Sequence, residues 1–284
     1  MITLILSNGE IINSEKFDNT LSNVVACICE NKNISEIVDK QISNIHKDIV
    51  IKDKDMIFLK IPILFLGKKV FIDTIIDKDK FIVNYYSEGF IKFLKEKITL
   101  HSTVNKYMIC LFLFQYFSYR YDEELLKIEE RVEELFQIAV NGESSSNKEI
   151  LEIKKIVAKI ERFTTDYKAM IIYLDYEFKG IDLYSKVLLI LDNTLSLVED
   201  IEASILSCID IYNSEISNNT NKAIQLLTSI TVIALPITIM SGILGISFNN
   251  RSLVNSKTGL ITAMMITLVI VIIEIIYFRK KKYL

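Results

Sequence analysis

From Ala223 to Ile246 the chain runs for 24 residues without a charge, and from Gly259 to Ile273 it does so for 15 more. The second run resumes after Glu274 as far as Phe278. A helix needs about 20 mainly apolar residues to cross the roughly 30 Å hydrocarbon core of a bilayer. Lipid offers no partner to a free backbone amide, so such runs are helical there. They predict transmembrane helices at 223–246 and 259–278, joined by an external loop over 247–258. Arg279, Lys280, Lys281 and Lys282 follow the second helix directly, whereas the loop carries only Arg251 and Lys257. The positive-inside rule places the 279–284 tail in the cytoplasm, and two crossings return the N-terminal part to the same side. The expected location is the inner (plasma) membrane with both termini cytoplasmic. Tyr277 and Tyr283 suit the aromatic interface, and Glu274 reads as an interfacial acid, paired with the basic tail or snorkelling outward, with a role in ion passage as the second reading.

Ahead of these segments the chain is densely charged up to Lys222. Met1 to Glu10 lacks a basic n-region and reads as a strand, not a signal peptide. Residues 1–101 predict a cytoplasmic α/β domain. Strand-like runs are MITLILS, EIINS, DIVI, MIFLKIPILFL, KVFIDTII and KFIVNYY, while SNVVACICEN and EGFIKFLKEKI read as helices. Five or six strands are expected. Only 8 Gly and 2 Pro in 284 residues favour long helices beyond that point. Residues 102–180 predict an antiparallel helical pair, over 102–141 and 148–178, turning at NGESSSN. Lys179-Gly180 breaks the second, and Asp182 is placed to cap a stalk helix over 181–222. No Gly or Pro separates that stalk from the first membrane segment. Unbroken to Ile246, it would span about 100 Å and need packing partners, either a bundle or a symmetric oligomer. The fold class is thus α+β, with long helices and a two-helix transmembrane region.

With a net charge of −3, no basic surface of the kind that nucleic-acid binding requires shows in the totals, and no direct nucleic-acid binding is expected. There is no Gly-rich phosphate loop, nucleophile elbow or paired-His motif, so no enzyme is expected and no resident cofactor. Cys27, Cys29, Cys110 and Cys208 have no metal spacing and read as reduced, partly buried thiols; His46 and His101 are solitary. The acid-rich stretch Asp122, Glu123, Glu124, Glu129, Glu130, Glu133 and Glu134 reads as a solvated outer face. A second reading lets Glu129 and Glu133, with Asp77 and Asp79, bind a regulatory divalent cation between subunits.

Positions three and four apart on the first membrane helix read Asn221, Ile224, Thr228, Thr231, Leu235, Thr238, Gly242 and Gly245. This single face is smaller and more polar than the remainder. Its amide and hydroxyls could exchange hydrogen bonds with a hydrated ion in a ring of such helices, with Ile224 and Leu235 as apolar constrictions and Leu227 beside the first. The same small residues also suit tight helix packing in lipid. Pro236 on the border of the stripe opens the backbone locally.

The stretch NKAIQLLTSITVIALPITIMSGILGISF resembles the pore helix of the CorA family of magnesium transporters. Asn221, Leu227, Thr228, Pro236, Gly242, Gly245 and Phe248 match that family's pattern, and YFRKKKYL is similar to its basic C-terminus. The resemblance implies a funnel-shaped pentamer in the membrane lipid, with Asn221 and Thr238 as polar pore rings and Ile224 and Leu227 as the gate. It further implies Mg2+ or a related divalent cation as substrate and regulator. At the outer mouth the family's Gly-Met-Asn is replaced by Gly245-Ile246-Ser247. Ser247 lacks an amide carbonyl, and the outer loop has two cations and no acid, so capture of a divalent ion there is weakened. The function expected is a divalent-cation channel or transporter gated by its cytoplasmic domain. The alternative implied by divergent relatives is a membrane effector of type III CRISPR defence, opened by a nucleotide second messenger, although no motif in residues 1–180 marks a nucleotide site. A non-conducting membrane scaffold is the third reading.

Overall fold

The computed structural model describes residues 2–14, 23–29, 50–53, 56–65, 67–141, 147–245 and 257–281. His46, residues 142–146 where a turn is expected, Ile246, Ser247, Phe248, Arg251, Lys282 and Tyr283 lie outside them. The chain divides into two compact units, one of Met1–Gln137 with Ser144–Cys208, the other of Ile138–Glu143 with Ile209–Leu284.

Among the described residues of the first unit seven strands make one sheet: β1 (Ile2–Leu6), β2 (Ile11–Ser14), β3 (Val24–Cys29), β4 (Val50–Asp53), β5 (Met56–Phe65), β6 (Lys68–Ile76) and β7 (Phe81–Val83). Their order is β2-β1-β3-β7-β6-β5-β4. All neighbours are antiparallel except β3 and β7, which run parallel with Ala26 opposite Phe81. Two expectations are corrected here. The segment SNVVACICEN is not a helix; its Val24–Cys29 core is strand β3, and the sheet has seven strands, not five or six. The reason is burial. Every side chain of β3 is buried, so the strand sits in mid-sheet without the polar alternation that reveals a half-exposed strand.

Helix α1 (Glu88–Ile98) is opened by Ser87, whose Oγ accepts from the Phe90 amide at 3.1 Å, and it buries Phe90, Leu94 and Ile98 at four-residue spacing. Helix α2 (Lys106–Val140) is opened by Asn105, which accepts from the Met108 amide at 2.8 Å. Helix α3 (Asn147–Tyr173) ends earlier than the expected Phe178: Leu174 leaves the helical region, and Asp175–Phe178 forms a separate turn, α4. Gly180 follows at φ +89°, a left-handed conformation that glycine adopts without strain. The chain is thereby turned into α5 (Asp182–Gly245), 64 residues long and unbroken.

Within the first unit, α5 buries Leu183, Val187, Leu191, Thr194, Val198, Ile201, Ile205 and Cys208, each three or four residues from the last. Val132 and Leu135 of α2, Ile150 and Ile153 of α3, and Ile205 and Cys208 of α5 close around a single small gap, which fixes the three helices side by side. Each such buried aliphatic contributes about 1.5–3 kcal/mol. Polar ties set the register. Tyr167 of α3 donates to the Pro62 carbonyl of β5 at 2.5 Å, and its oxygen lies 3.0 Å from the Tyr121 hydroxyl of α2. Since Tyr167 gives its only proton to Pro62, Tyr121 is the donor in the second bond. Thr194 of α5 donates to Asp122 of α2 at 2.7 Å. Cys27, Cys29, Cys110 and Cys208 are buried thiols outside any disulfide, and the Cys27 and Cys29 sulfurs lie 3.6 Å apart.

The second unit contains the C-terminal part of α5 and helix α6 (Lys257–Lys280). Both are long and apolar enough to cross a membrane, with mean hydropathy of 2.0 and 2.5 over their most apolar windows. Their large apolar side chains are largely exposed, as lipid-facing groups are.

Tyr167→Phe should lower unfolding stability by about 1–3 kcal/mol, because it orphans the buried Pro62 carbonyl, and a thermal or denaturant unfolding curve will read this. Burial raises the Asp122 carboxyl above its usual range, against the opposing hydrogen bond from Thr194. A raised folded-state pKa destabilises the charged form, so Asp122→Asn should stabilise the fold near neutral pH. That advantage should shrink as pH falls through the raised value and vanish below the unfolded carboxyl's 3.8, as melting curves across this range will test.

Candidate functional site

The stripe expected on the first membrane helix lies along one exposed face of α5. Asn221, Thr228, Thr231, Thr238 and Gly242 are all exposed, as are Ile224 at 56%, Leu227 at 65% and Leu235 at 55%. Gly245 is the last residue described on this helix. Nothing lies within 4 Å of where a Gly242 Cβ would stand. A different face of α5 meets α6: Ile237, Met240 and Ser241 share a cavity of about 410 Å³ with Ala263, Met264, Thr267, Leu268 and Val271. Ser229 belongs to the shielded side as well. It is 1% exposed and donates to the Gln225 carbonyl at 2.8 Å. The stripe count missed it, although its small polar side chain beside Thr228 was a visible signal.

The threonine hydroxyls have a common geometry. Thr228 donates to the Ile224 carbonyl at 2.8 Å, Thr231 to Leu227 at 2.9 Å, and Thr238 to Ala234 at 3.0 Å. Each hydroxyl proton is therefore turned back into the helix. What faces outward is the oxygen, with lone pairs free to accept. Water bound to a cation points its protons away from the ion, so a wall of acceptors suits a hydrated cation and not a hydrated anion. Pro236 lies inside the helix and has no amide proton to offer the Val232 carbonyl, which adds one more free acceptor to this segment.

The candidate regulatory acids fall into two separate places. Asp77 and Asp79 lie in the turn between β6 and β7. There the Asp77 amide donates to the Lys80 carbonyl at 2.9 Å, and Asp77 Oδ1 accepts from the Lys78 amide at 2.8 Å. The Lys106 ammonium sits in the same turn, donating to the Asp77 carbonyl at 2.8 Å and the Lys78 carbonyl at 2.5 Å. Partial burial lowers the Lys106 pKa, opposed by the charges of Asp79 and Asp77. Glu129 and Glu133 sit far along α2, about 35 Å from its first residue by helical rise. With Glu130 they line a cleft of about 660 Å³ facing Ser204 and Ser207 of α5, and Glu133 accepts from Gln137 Nε2 at 3.0 Å. The structure does not bring the two pairs together within one chain. Among the described residues no group of three or more His, Cys, Asp or Glu side chains is placed to hold a metal. Glu274 on α6 makes no ion pair with Arg279; its Oε2 is buried without a hydrogen-bond partner.

This arrangement has known relatives. The chain is 25% identical over 276 residues, covering 95% of itself and 72% of the relative, to the cobalt/magnesium transport protein CorA of Thermotoga maritima. Its fold is similar to that of the complete CorA magnesium transporter from Methanocaldococcus jannaschii, with a TM-score of 0.79 at 16% identity, covering 100% of this chain and 98% of that one. It is also similar to the full-length CmaX protein, with a TM-score of 0.66 at 14% identity and coverage of 98% and 97%. The family model described as CorA-like Mg2+ transporter protein matches residues 42–280, most of the chain, and the protein belongs to that family.

Proposed function

We propose that this protein is a divalent-cation channel or transporter, a homo-oligomer whose α5 stripe lines the pore. The observation that carries this reading is the acceptor face of α5, with its threonine protons directed inward to the helix backbone. Mg2+ is the favoured ion, supported by the family and by the relative described as a cobalt/magnesium transport protein. The protein resides in the inner (plasma) membrane with both termini cytoplasmic, as the basic run from Arg279 to Lys282 favours. Five copies would place Asn221 and Thr238 as polar rings, with Thr228, Thr231, Leu235 and Gly242 between or beyond them, and Ile224 with Leu227 as the apolar gate. Gly245, Ile246 and Ser247 form the outer mouth. Regulation by a divalent cation between subunits would draw on Glu129 and Glu133 of one chain and on Asp77 and Asp79 of another, which suits the wide separation of the two pairs within a single chain.

A second reading rests on the outer mouth. Ser247 cannot offer the amide carbonyl of the family's Gly-Met-Asn, and Arg251 and Lys257 repel cations there. A pore that only has to leak does not need selective capture. An effector of type III CRISPR defence, opened by a nucleotide second messenger, would have that property.

The discriminating experiment is Mg2+ flux into liposomes carrying the purified oligomer, with internal Mg2+ chelated. Clear flux supports the transporter, and silence from a well-formed oligomer favours the effector. In the conducting protein Thr238→Val, which keeps shape but loses the acceptor, should reduce flux, while Thr238→Ser retains it. Asn221→Leu should block flux with the oligomer intact, and Ile224→Gly should raise leak. Unchanged flux in both Thr238→Val and Asn221→Leu would remove α5 from the pore wall.

A further inference from the structure

A cleft in the first unit, lined by none of Asp77, Asp79, Glu129 and Glu133 and by no residue of the stripe, has the build of a small-molecule site. It lies between the end of the β5–β6 hairpin, the first turn of α1 and the middle of α2, and encloses about 480 Å³. That volume falls within the range of about 300–1,000 Å³ typical of ligand pockets, and its wall is mixed polar and apolar as theirs are. One side is aromatic. Tyr85 and Phe117 have ring centroids 5.2 Å apart, and Tyr116 and Phe117 5.4 Å apart, all three lining the cleft. The polar side is led by Arg120, an exposed guanidinium on α2 that makes no ion pair among the described residues. Gly89 permits the close approach of the two elements: a Cβ there would stand 3.0 Å from the Tyr116 hydroxyl.

We propose that this cleft binds a small aromatic anion of the nucleoside monophosphate class. The ring would lie against Tyr85, Tyr116 and Phe117, and the phosphate would meet Arg120, whose planar fork matches phosphate oxygens two at a time. Glu124 lines the same cleft one helical turn beyond Arg120. Its carboxylate repels any phosphate, and a polyphosphate chain more strongly than a single one. Burial raises the Tyr85 pKa, so that phenol remains a neutral hydrogen-bonding group beside the anion. The proposal rests on the cleft alone and is independent of which ion the membrane helices carry.

Isothermal titration of the full-length protein in detergent with adenosine monophosphate, adenosine and inorganic phosphate tests it. Adenosine monophosphate is expected to bind once per chain, more tightly than either fragment. Arg120→Ala should weaken it by about tenfold or more, the worth of one charge-assisted contact, and leave adenosine unchanged. Arg120→Gln should behave likewise, and Tyr116→Leu should weaken both adenosine monophosphate and adenosine. Absence of adenosine monophosphate binding to the folded oligomer would overturn the proposal, as would binding that both Arg120 variants leave intact.

Discussion

The backbone of α5 runs as one helix from Asp182 to Gly245, short of a hydrogen bond only where Pro236 lacks an amide proton, and the other assignments depend on this continuity. Because the main chain satisfies nearly all of its own needs, the environment of each segment is set chiefly by side chains. Through Cys208 the helix carries a buried stripe at three- or four-residue spacing, matched by α2 and α3. Beyond Lys222 the surface becomes apolar nearly all round. One helix thus serves two solvents. The only interruption to its pattern of donors is Pro236, and a lone free carbonyl is tolerable in lipid only when another group or water approaches it.

Much of this was legible beforehand because it rests on long patterns. Two uncharged runs of membrane length and a helix with no breaker leave few alternatives. Strand β3 was not legible for the opposite reason. A six-residue strand buried on both faces has no alternation, and the cysteines and alanine of Val24–Cys29 suit a buried helix equally well. The parallel partner that identifies it, Phe81 opposite Ala26, lies 55 residues away and leaves no local mark. The separation of Asp77 and Asp79 from Glu129 and Glu133 was equally hidden, since sequence lists acids without the helix that holds them apart. The hydroxyl geometry of the α5 stripe was readable as residue type, but the inward direction of the protons was not.

The turn at Asp77 also shows how a site that looks metal-like can be answered by the chain's own cation. Two acids one residue apart, with converging carbonyls, resemble a calcium or magnesium loop on paper. Lys106, at the start of α2, fills the carbonyl side of that turn with its ammonium. The Asp77 carboxylate accepts from the Lys78 amide within the same turn.

The strand order has a consequence for synthesis. The sheet is closed by β7, which pairs with β3 on one side and β6 on the other. Its last residue, Val83, leaves the ribosome about 140 residues ahead of Ala223, the start of the first membrane segment. At about 5–20 residues per second that is an interval of roughly 7–28 s, longer than a small domain needs to fold. The whole sheet can therefore be complete before the membrane machinery receives any part of its cargo.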